Sequence, residues 1–201
     1  SRRQRQMCIR DRLVGGAFIF NTERRSMRFG CCINMVASEL DGIGTEHLSE
    51  LEHMGYDYVE MPLAEMMRLD GPNFLELKRR VDRLTIGCEV CNNFFPKHMR
   101  LTGQEVRMDL VLSYAERALT RAKDLGATCV VFGSGSAKNV PKGTSLEKGY
   151  QQIVDLLNQI ASLAANRDII ICIEPLRKQE CNLINTFEEG GRLADELRHP
   201  N

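Results

Sequence analysis

Short, nearly continuous apolar runs alternate with longer amphipathic stretches from Met27 to the end of the chain. Apolar runs without polar alternation are typical of parallel strands, because helices cover both faces of a parallel sheet. The sequence predicts five such strands, at residues 29–33, 58–61, 86–91, 128–132 and 169–174. The chain is therefore expected to be an α/β protein made of repeated βα units.

Two segments between these strands have the apolar stripe of an amphipathic helix, residues 105–125 and 146–165. Three sequences of the form Thr-x-x-Glu resemble capping boxes, in which the two side chains satisfy free amide groups at a helix start. They begin at Thr102, Thr144 and Thr186. We expect a helix to start at each of them.

Repeated βα units leave two architectures, an open doubly wound sheet or an eight-stranded barrel. Gly55 and Gly126 each stand between a helix and the next strand, as C-capping glycines do, so the same unit recurs. Polar residues favour the barrel, because they fall at strand C-termini, where barrels place their sites. These residues are Glu60, Asn92, Asn93, Ser134 and Glu174. We predict an incomplete (β/α)₈ barrel with about the first five βα units.

Composition narrows the range of partners. Lys plus Arg and Asp plus Glu both number 27, so there is no net charge to attract nucleic acid or an anionic membrane. No run of about 18 apolar residues is present that would span a bilayer. We expect a cytoplasmic protein that binds a small molecule and neither nucleic acid nor membrane.

The eight cysteines include one CxxC sequence, Cys88 to Cys91, which a metal or redox site would use at a loop or helix start. Here it lies along a predicted strand and has no second pair. Most of the other cysteines also fall in apolar runs. We interpret them as free thiols in a reducing compartment.

Residues 1–26 differ from the rest of the chain, with seven arginines against two acidic residues and no sustained helix or strand period. A transit peptide has such a composition, but residues 3–12 resemble translated sequencing-adapter read-through. We interpret residues 1–26 as a non-native or disordered leader and residues 27–201 as a partial barrel, with Met27 as the natural start.

The fifth predicted strand ends in Glu174 and is followed at once by Pro175. Proline cannot donate a ladder hydrogen bond, so the strand ends and the carboxylate is presented at the barrel mouth. A carboxylate there could bind a divalent cation, move a proton, or pair with an arginine. Glu180 follows in the next loop.

Three segments together carry a resemblance to a known family. They are Glu174-Pro-Leu-Arg-Lys-Gln-Glu180-Cys-Asn-Leu-Ile-Asn-Thr186, Cys91-Asn-Asn-Phe-Phe-Pro96 and Phe132-Gly-Ser-Gly-Ser-Ala-Lys-Asn-Val-Pro141. They resemble the xylose isomerase-like TIM-barrel family of sugar and sugar-phosphate isomerases and epimerases, which includes ketose 3-epimerases and hydroxypyruvate isomerases.

The resemblance implies a sugar or hydroxy-keto acid substrate and a divalent cation, Mn²⁺ or Mg²⁺, with carboxylates that move a proton next to a carbonyl. Glu174 matches the family's metal-binding glutamate, which also acts as an acid or base in the epimerases. Glu180 matches the glutamate that binds substrate hydroxyls, and Asn92 is expected to bind substrate. Phe94 and Phe95 either stack on the sugar or pack beneath their loop. Members often form homo-oligomers.

The sequence also departs from the family pattern. Arg177 and Lys178 stand where many members have Asn-Arg, and the family's later metal ligands, an aspartate, a histidine and a second glutamate, have no counterparts before Asn201. We therefore expect a C-terminally truncated chain that is inactive by itself.

Two other functions stay open. One is a non-catalytic sugar-binding or regulatory barrel. The other is a related endonuclease that cuts DNA at abasic sites, which would need zinc-binding histidines at strand ends. The histidines here fall in predicted helices or loops, at His47, His53, His98 and His199.

Overall fold

A computed structural model of the chain describes residues 27–197 and 199–200, so the predicted leader lies outside the described residues. One sheet of five parallel strands forms the centre of the fold. The strands are β1 (Gly30–Cys32), β2 (Tyr58–Pro62), β3 (Gly87–Asn92), β4 (Cys129–Phe132) and β5 (Ile170–Ile173). All five predicted strands are confirmed, with ends that differ by up to a few residues.

The order of the strands in the sheet is β1-β2-β3-β4-β5, the same as their order in the sequence. A doubly wound sheet would reverse direction after its first strands, whereas a barrel adds each strand to the same side of the previous one. The sheet therefore has the topology of a partial barrel, which confirms the predicted fold class.

Helices lie between consecutive strands and pack their apolar faces against the sheet in one continuous core. They are α1 (Leu48–His53), α2 (Leu63–Met66), α3 (Gly71–Asp82), α4 (Met108–Asp124), α5 (Gly135–Lys138), α6 (Leu146–Ala165) and α7 (Phe187–Leu197), and two 3₁₀ turns span Ile33–Met35 and Thr45–His47. In the described part of the chain, no helix is both long and apolar enough to cross a membrane.

The three predicted helix starts have different outcomes. Thr186 caps α7, since its hydroxyl accepts a hydrogen bond from the Glu189 amide at 3.2 Å. The cap of α6 is Ser145, one residue after the predicted Thr144, and its hydroxyl accepts from the Lys148 amide. The prediction at Thr102 was wrong, because its hydroxyl instead donates to loop carbonyls, 3.0 Å away at Asn139, and α4 begins only at Met108.

An irregular register brings the two cysteines of the CxxC sequence to the same side of β3. The pairing of β2 with β3 shifts between Val59 and Glu60, so that Glu89 is an extra residue in β3. Cys88 and Cys91 are consequently both buried. All seven cysteines in the described residues are free, as the sequence predicted.

Candidate functional site

Because the five strands are parallel, their C-terminal ends meet at one edge of the sheet. Glu60 is the third of the five residues of β2, Asn92 is the last residue of β3, and Glu174 directly follows β5. The edge therefore collects the polar residues that the sequence places at strand ends. We call it the strand-end edge and treat it as the candidate site.

The Glu174 carboxylate lies against Gly133, which directly follows β4 and has no side chain. The backbone amide of Glu174 donates to the Phe132 carbonyl at 3.2 Å, which fixes the start of the loop after β5 against the end of β4. A Cβ atom on Gly133, the next residue after Phe132, would overlap the Glu174 carboxylate oxygen Oε2. Glycine at 133 thus lets the carboxylate lie against the backbone of the neighbouring strand.

Lys138, the last residue of α5, is completely buried next to Glu174. Its ammonium group is 3.5 Å from the backbone carbonyl oxygen of Glu174 and 5.5 Å from the centre of the Phe132 ring. Burial lowers the pKa of Lys138, and the nearby Cys181 and Glu174 oppose that change. A buried cation therefore lies within electrostatic reach of Glu174 at the β5 side of the strand-end edge.

The pKa of Glu174 is raised. Partial burial is the main cause; the positive charge of Lys138 opposes it and the negative charge of Glu180 adds to it. A carboxyl group with a raised pKa holds a proton more readily and is a stronger base when ionised. This arrangement suits a group that takes up and returns a proton.

Glu180 lies in the loop after β5 and is more exposed. Its carboxylate pairs with Arg177, with 3.0 Å between Oε2 and Nε. This hydrogen bond lowers the pKa of Glu180, so it stays ionised. Glu180 affects Glu174 through its charge, but among the described residues neither glutamate forms a hydrogen bond or an ion pair with Asn92.

Asn92 belongs to a second polar group, at the β1–β3 side of the edge. Its amide nitrogen donates to Cys32 Sγ at 2.8 Å and to Asn34 Oδ1 at 3.1 Å. Its amide oxygen is buried and has no hydrogen-bond partner. Burying an acceptor without a partner costs about 1–3 kcal/mol. A ligand that donates a hydrogen bond to this oxygen would therefore be stabilised there.

Glu60 lies next to this group on β2, opposite Cys32 of β1. Burial raises the pKa of Glu60, the Asn92 amide opposes the change, and the charge of Glu174 adds to it. Burial and the charge of Glu60 in turn raise the pKa of Cys32 to about 12, so that thiol is not ionised at neutral pH. The two sides of the edge therefore influence one another electrostatically.

Sequence reasoning noted Glu60 at a strand end but gave it no role, and it missed Lys138, Cys32 and Asn34. The position of Glu60 next to a predicted strand end was a usable signal. Lys138 had none, because a lysine in a glycine-rich loop is expected to be exposed. Phe94 and Phe95 are buried under the loop after β3, stacked with 4.3 Å between ring centres, so they pack rather than line the edge.

The residues of the edge do not by themselves fit a divalent cation. A protein site for such an ion takes several oxygen or nitrogen ligands, and residues 27–197 and 199–200 contain no group of three or more His, Cys, Asp and Glu side chains able to hold one. His47 lies just before α1 and contacts the Glu50 carboxylate. His53 is the last residue of α1 and contacts the Ser49 carbonyl. The described residues therefore do not complete a metal site on this chain.

Comparison with known protein families finds one that matches most of the chain. A model of the family described as xylose isomerase-like TIM barrel matches residues 48–201. Comparison with curated protein sequences finds no significant match. The match covers the described strands β2 to β5 and the whole of the Glu174 segment.

Solved structures share the fold. A D-psicose 3-epimerase determined in the presence of D-fructose is similar with a TM-score of 0.74 at 17% identity, over 87% of this chain and 61% of that protein. A D-allulose 3-epimerase from Methylomonas sp. gives 0.71 at 18% identity, over 86% and 60%. A 3-keto-D-glucoside 4-epimerase from E. coli gives 0.62 at 18% identity, over 76% and 59%. At these identities the likeness shows the fold, and the chain spans about three fifths of each neighbour.

Proposed function

Since the chain belongs to the xylose isomerase-like TIM-barrel family, we propose that it is part of a sugar isomerase or epimerase that moves a proton at the carbon next to a carbonyl group. The observation that carries this proposal is Glu174, a half-buried carboxyl at the strand-end edge whose pKa is raised. Neighbours named as ketose epimerases have the same fold and support it.

The proposed chemistry uses Glu174 as a base and then as an acid. Its carboxylate accepts the proton from the C–H bond next to the carbonyl, and the electron pair of that bond moves toward the carbonyl carbon and oxygen. The protonated Glu174 then returns the proton. Return to the former carbonyl carbon on the same face moves the carbonyl, while the neighbouring hydroxyl proton passes to the former carbonyl oxygen. Inversion of the same carbon instead needs a second proton donor on the opposite face, and we propose no residue of this chain for that role.

Two further residues have proposed binding roles. Glu180 is ionised and reachable from solvent, so it can accept hydrogen bonds from substrate hydroxyls. Asn92 has an unused amide oxygen that can accept another. The proposed substrate class is a sugar or a hydroxy-keto acid, and the proposed location is the cytoplasm, with a homo-oligomer as the proposed assembly.

A divalent cation, Mn²⁺ or Mg²⁺, belongs to this proposal for the whole enzyme. When bound, such an ion polarises the carbonyl of the substrate. On this chain Glu174 is the one residue that we propose as a ligand.

The first experiment sequences the source DNA on both sides of this reading frame and assays the product of any longer frame with Mn²⁺ against a panel of ketoses. We expect proton exchange with solvent next to the carbonyl, followed by ¹H NMR in deuterated water. Glu174→Gln keeps the size of the side chain and removes the base, so it should slow exchange by about 10²–10⁴-fold.

Glu65→Gln is the matched control, because Glu65 is a partly exposed glutamate at the same edge that contacts Asn93 instead, at 3.3 Å. It should retain the exchange rate. Equal loss in both variants, or exchange that survives Glu174→Gln, would contradict the role of Glu174. Binding of a ketose without exchange would support a non-catalytic sugar-binding barrel instead.

A further inference from the structure

Two hydrogen-bond acceptors lie side by side at the β1–β3 side of the strand-end edge. One is the amide oxygen of Asn92, which is buried without a partner. The other is the carboxyl group of Glu60, which lies opposite Cys32 on β1 and two residues before Pro62, the β2 partner of Asn92. The Asn92 oxygen has no donor, and the donor that acts on Glu60 is the Asn92 side chain.

The orientation of the Asn92 amide is fixed by its neighbours. Its nitrogen has two acceptors, Cys32 Sγ at 2.8 Å and Asn34 Oδ1 at 3.1 Å. The Cys32 thiol in turn donates to Asn34 Oδ1, at 3.1 Å, and so is not available to the Asn92 oxygen. The free position of this network is therefore an acceptor.

We propose that Glu60 and Asn92 form a subsite that binds the hydroxyl groups of an uncharged part of the ligand and rejects a phosphate group. This inference rests on the proposed function, since it assigns part of the same edge, and it goes beyond it by selecting between free and phosphorylated sugars.

The chemistry of the two acceptors decides which ligand end they take. A sugar hydroxyl donates a hydrogen bond and can satisfy the Asn92 oxygen or the Glu60 carboxylate. A phosphate at neutral pH is an anion with acceptor oxygens, so it would add acceptors and a like charge next to Glu60 and Glu174. Lys138 does not compensate, because it is buried at the other side of the edge, next to the Glu174 carbonyl.

Access to the Asn92 oxygen involves the turn after β1. The oxygen is covered, so a ligand hydroxyl reaches it when the 3₁₀ turn Ile33–Met35, which carries Asn34, shifts. Met35 is 77% exposed and Val36 is 49% exposed, whereas Ile33 at the start of the turn is buried in the core, so only the outer end of the turn is free to move. Glu60 is only half-buried.

The test measures binding of D-fructose and of D-fructose 6-phosphate to the chain by ligand-observed NMR, with and without Mn²⁺. We expect the free sugar to bind at least about tenfold more tightly than its phosphate, as one unfavourable polar contact implies. Glu60→Gln removes the negative charge and should bring the two affinities closer together. Glu65→Gln removes the same charge at the same edge and should leave their ratio unchanged.

Asn92→Leu provides a second, independent variant. It removes the acceptor while keeping similar volume, and should weaken fructose binding about tenfold. Thermal unfolding by circular dichroism checks that each variant is folded. If Asn92→Leu is unfolded, the pair of glutamate variants decides the question alone.

Two negative results are distinct. If fructose binds but its preference over the phosphate is absent, or is the same in Glu60→Gln as in the wild type, the subsite is overturned and the proposed function stands. If the wild-type chain binds neither sugar with or without Mn²⁺, the subsite is overturned, while the proposed function is decided separately by proton exchange in the product of the longer frame.

Discussion

The two sides of the strand-end edge differ in how they hold a carboxyl group. On the β4–β5 side, Glu174 lies in the space left by Gly133, with the buried Lys138 next to it. On the β1–β3 side, Glu60 lies next to Asn92, whose amide oxygen has no hydrogen-bond partner. No positive charge contributes to the pKa of Glu60. Burial raises the pKa of both groups, but only Glu174 has a positive charge that offsets part of the cost. A carboxyl group with a positive charge nearby suits repeated proton transfer, as at Glu174. A carboxyl group without one suits a ligand whose hydroxyl groups donate hydrogen bonds, as at Glu60.

The largest expected effect comes from filling the space under Glu174. Gly133→Ala places a methyl group where the carboxylate lies, so the carboxylate must move. Because that side chain is flexible, the protein should stay folded, while any Glu174-dependent rate should fall about 10²-fold, as for a misplaced catalytic group. Exchange rates and urea unfolding measure the two effects. Gly191→Ala, in α7 with no atom near its added methyl group, should instead stabilise by about 0.5–1 kcal/mol.

Removing the buried cation should affect stability next. Lys138 forms one long hydrogen bond, at 3.5 Å, and burying an ammonium group costs more than so little contact returns. Lys138→Met is therefore expected to raise the free energy of unfolding by about 1–3 kcal/mol, measured by urea denaturation. Lys142→Met, at an exposed position of the same loop, should have no comparable effect. A destabilised Lys138→Met would show that Lys138 is held by stronger interactions than these.

A smaller effect compares the two carboxyl groups directly. A carboxyl whose pKa is higher in the folded than in the unfolded chain makes the fold less stable as pH rises through that pKa. Glu60→Gln and Glu174→Gln should both raise the melting temperature at pH 7, and both gains should disappear below about pH 4, where the carboxyls are protonated in both states. The gain should be larger for Glu60→Gln, because Lys138 already stabilises ionised Glu174. Equal gains would mean that Lys138 has no such influence.

The smallest effect is expected at the exposed pair in the loop after β5. Arg177→Met removes the partner that lowers the pKa of Glu180, so that pKa should rise toward its ordinary value. Both side chains are largely exposed, and such pairs add little to stability. The melting temperature should hardly change. An NMR titration of Glu180 measures its pKa, and a large loss of stability would show that the pair holds the loop.

The sequence was sufficient for the sheet because continuous apolar runs separate buried strands from their connections. It also located Glu174, since a carboxylate followed by proline at a strand end is a local signal. Lys138 was beyond its reach, because its burial depends on Phe132 and Glu174, which come from two different strands. The sequence did place Asn92 at a strand end, but it could not predict its hydrogen bonds, because Cys32 and Asn34 are about sixty residues away.

The helix starts show a finer limit. Adjacent Thr144 and Ser145 are both good caps, and nothing local decides between them. Thr102 has the pattern of a cap, but the loop that contains Lys138 and Asn139 competes for its hydroxyl. A tertiary contact therefore overrides a local signal.

The strand order has a consequence for how the chain assembles. Every ladder in the sheet joins strands that are consecutive in the sequence, so each new strand can dock on a neighbour that has already left the ribosome. Contacts of short sequence separation favour rapid folding. The side with Asn92 and Glu60 can then form first during synthesis, and the Glu174 side is added only after β5 has emerged.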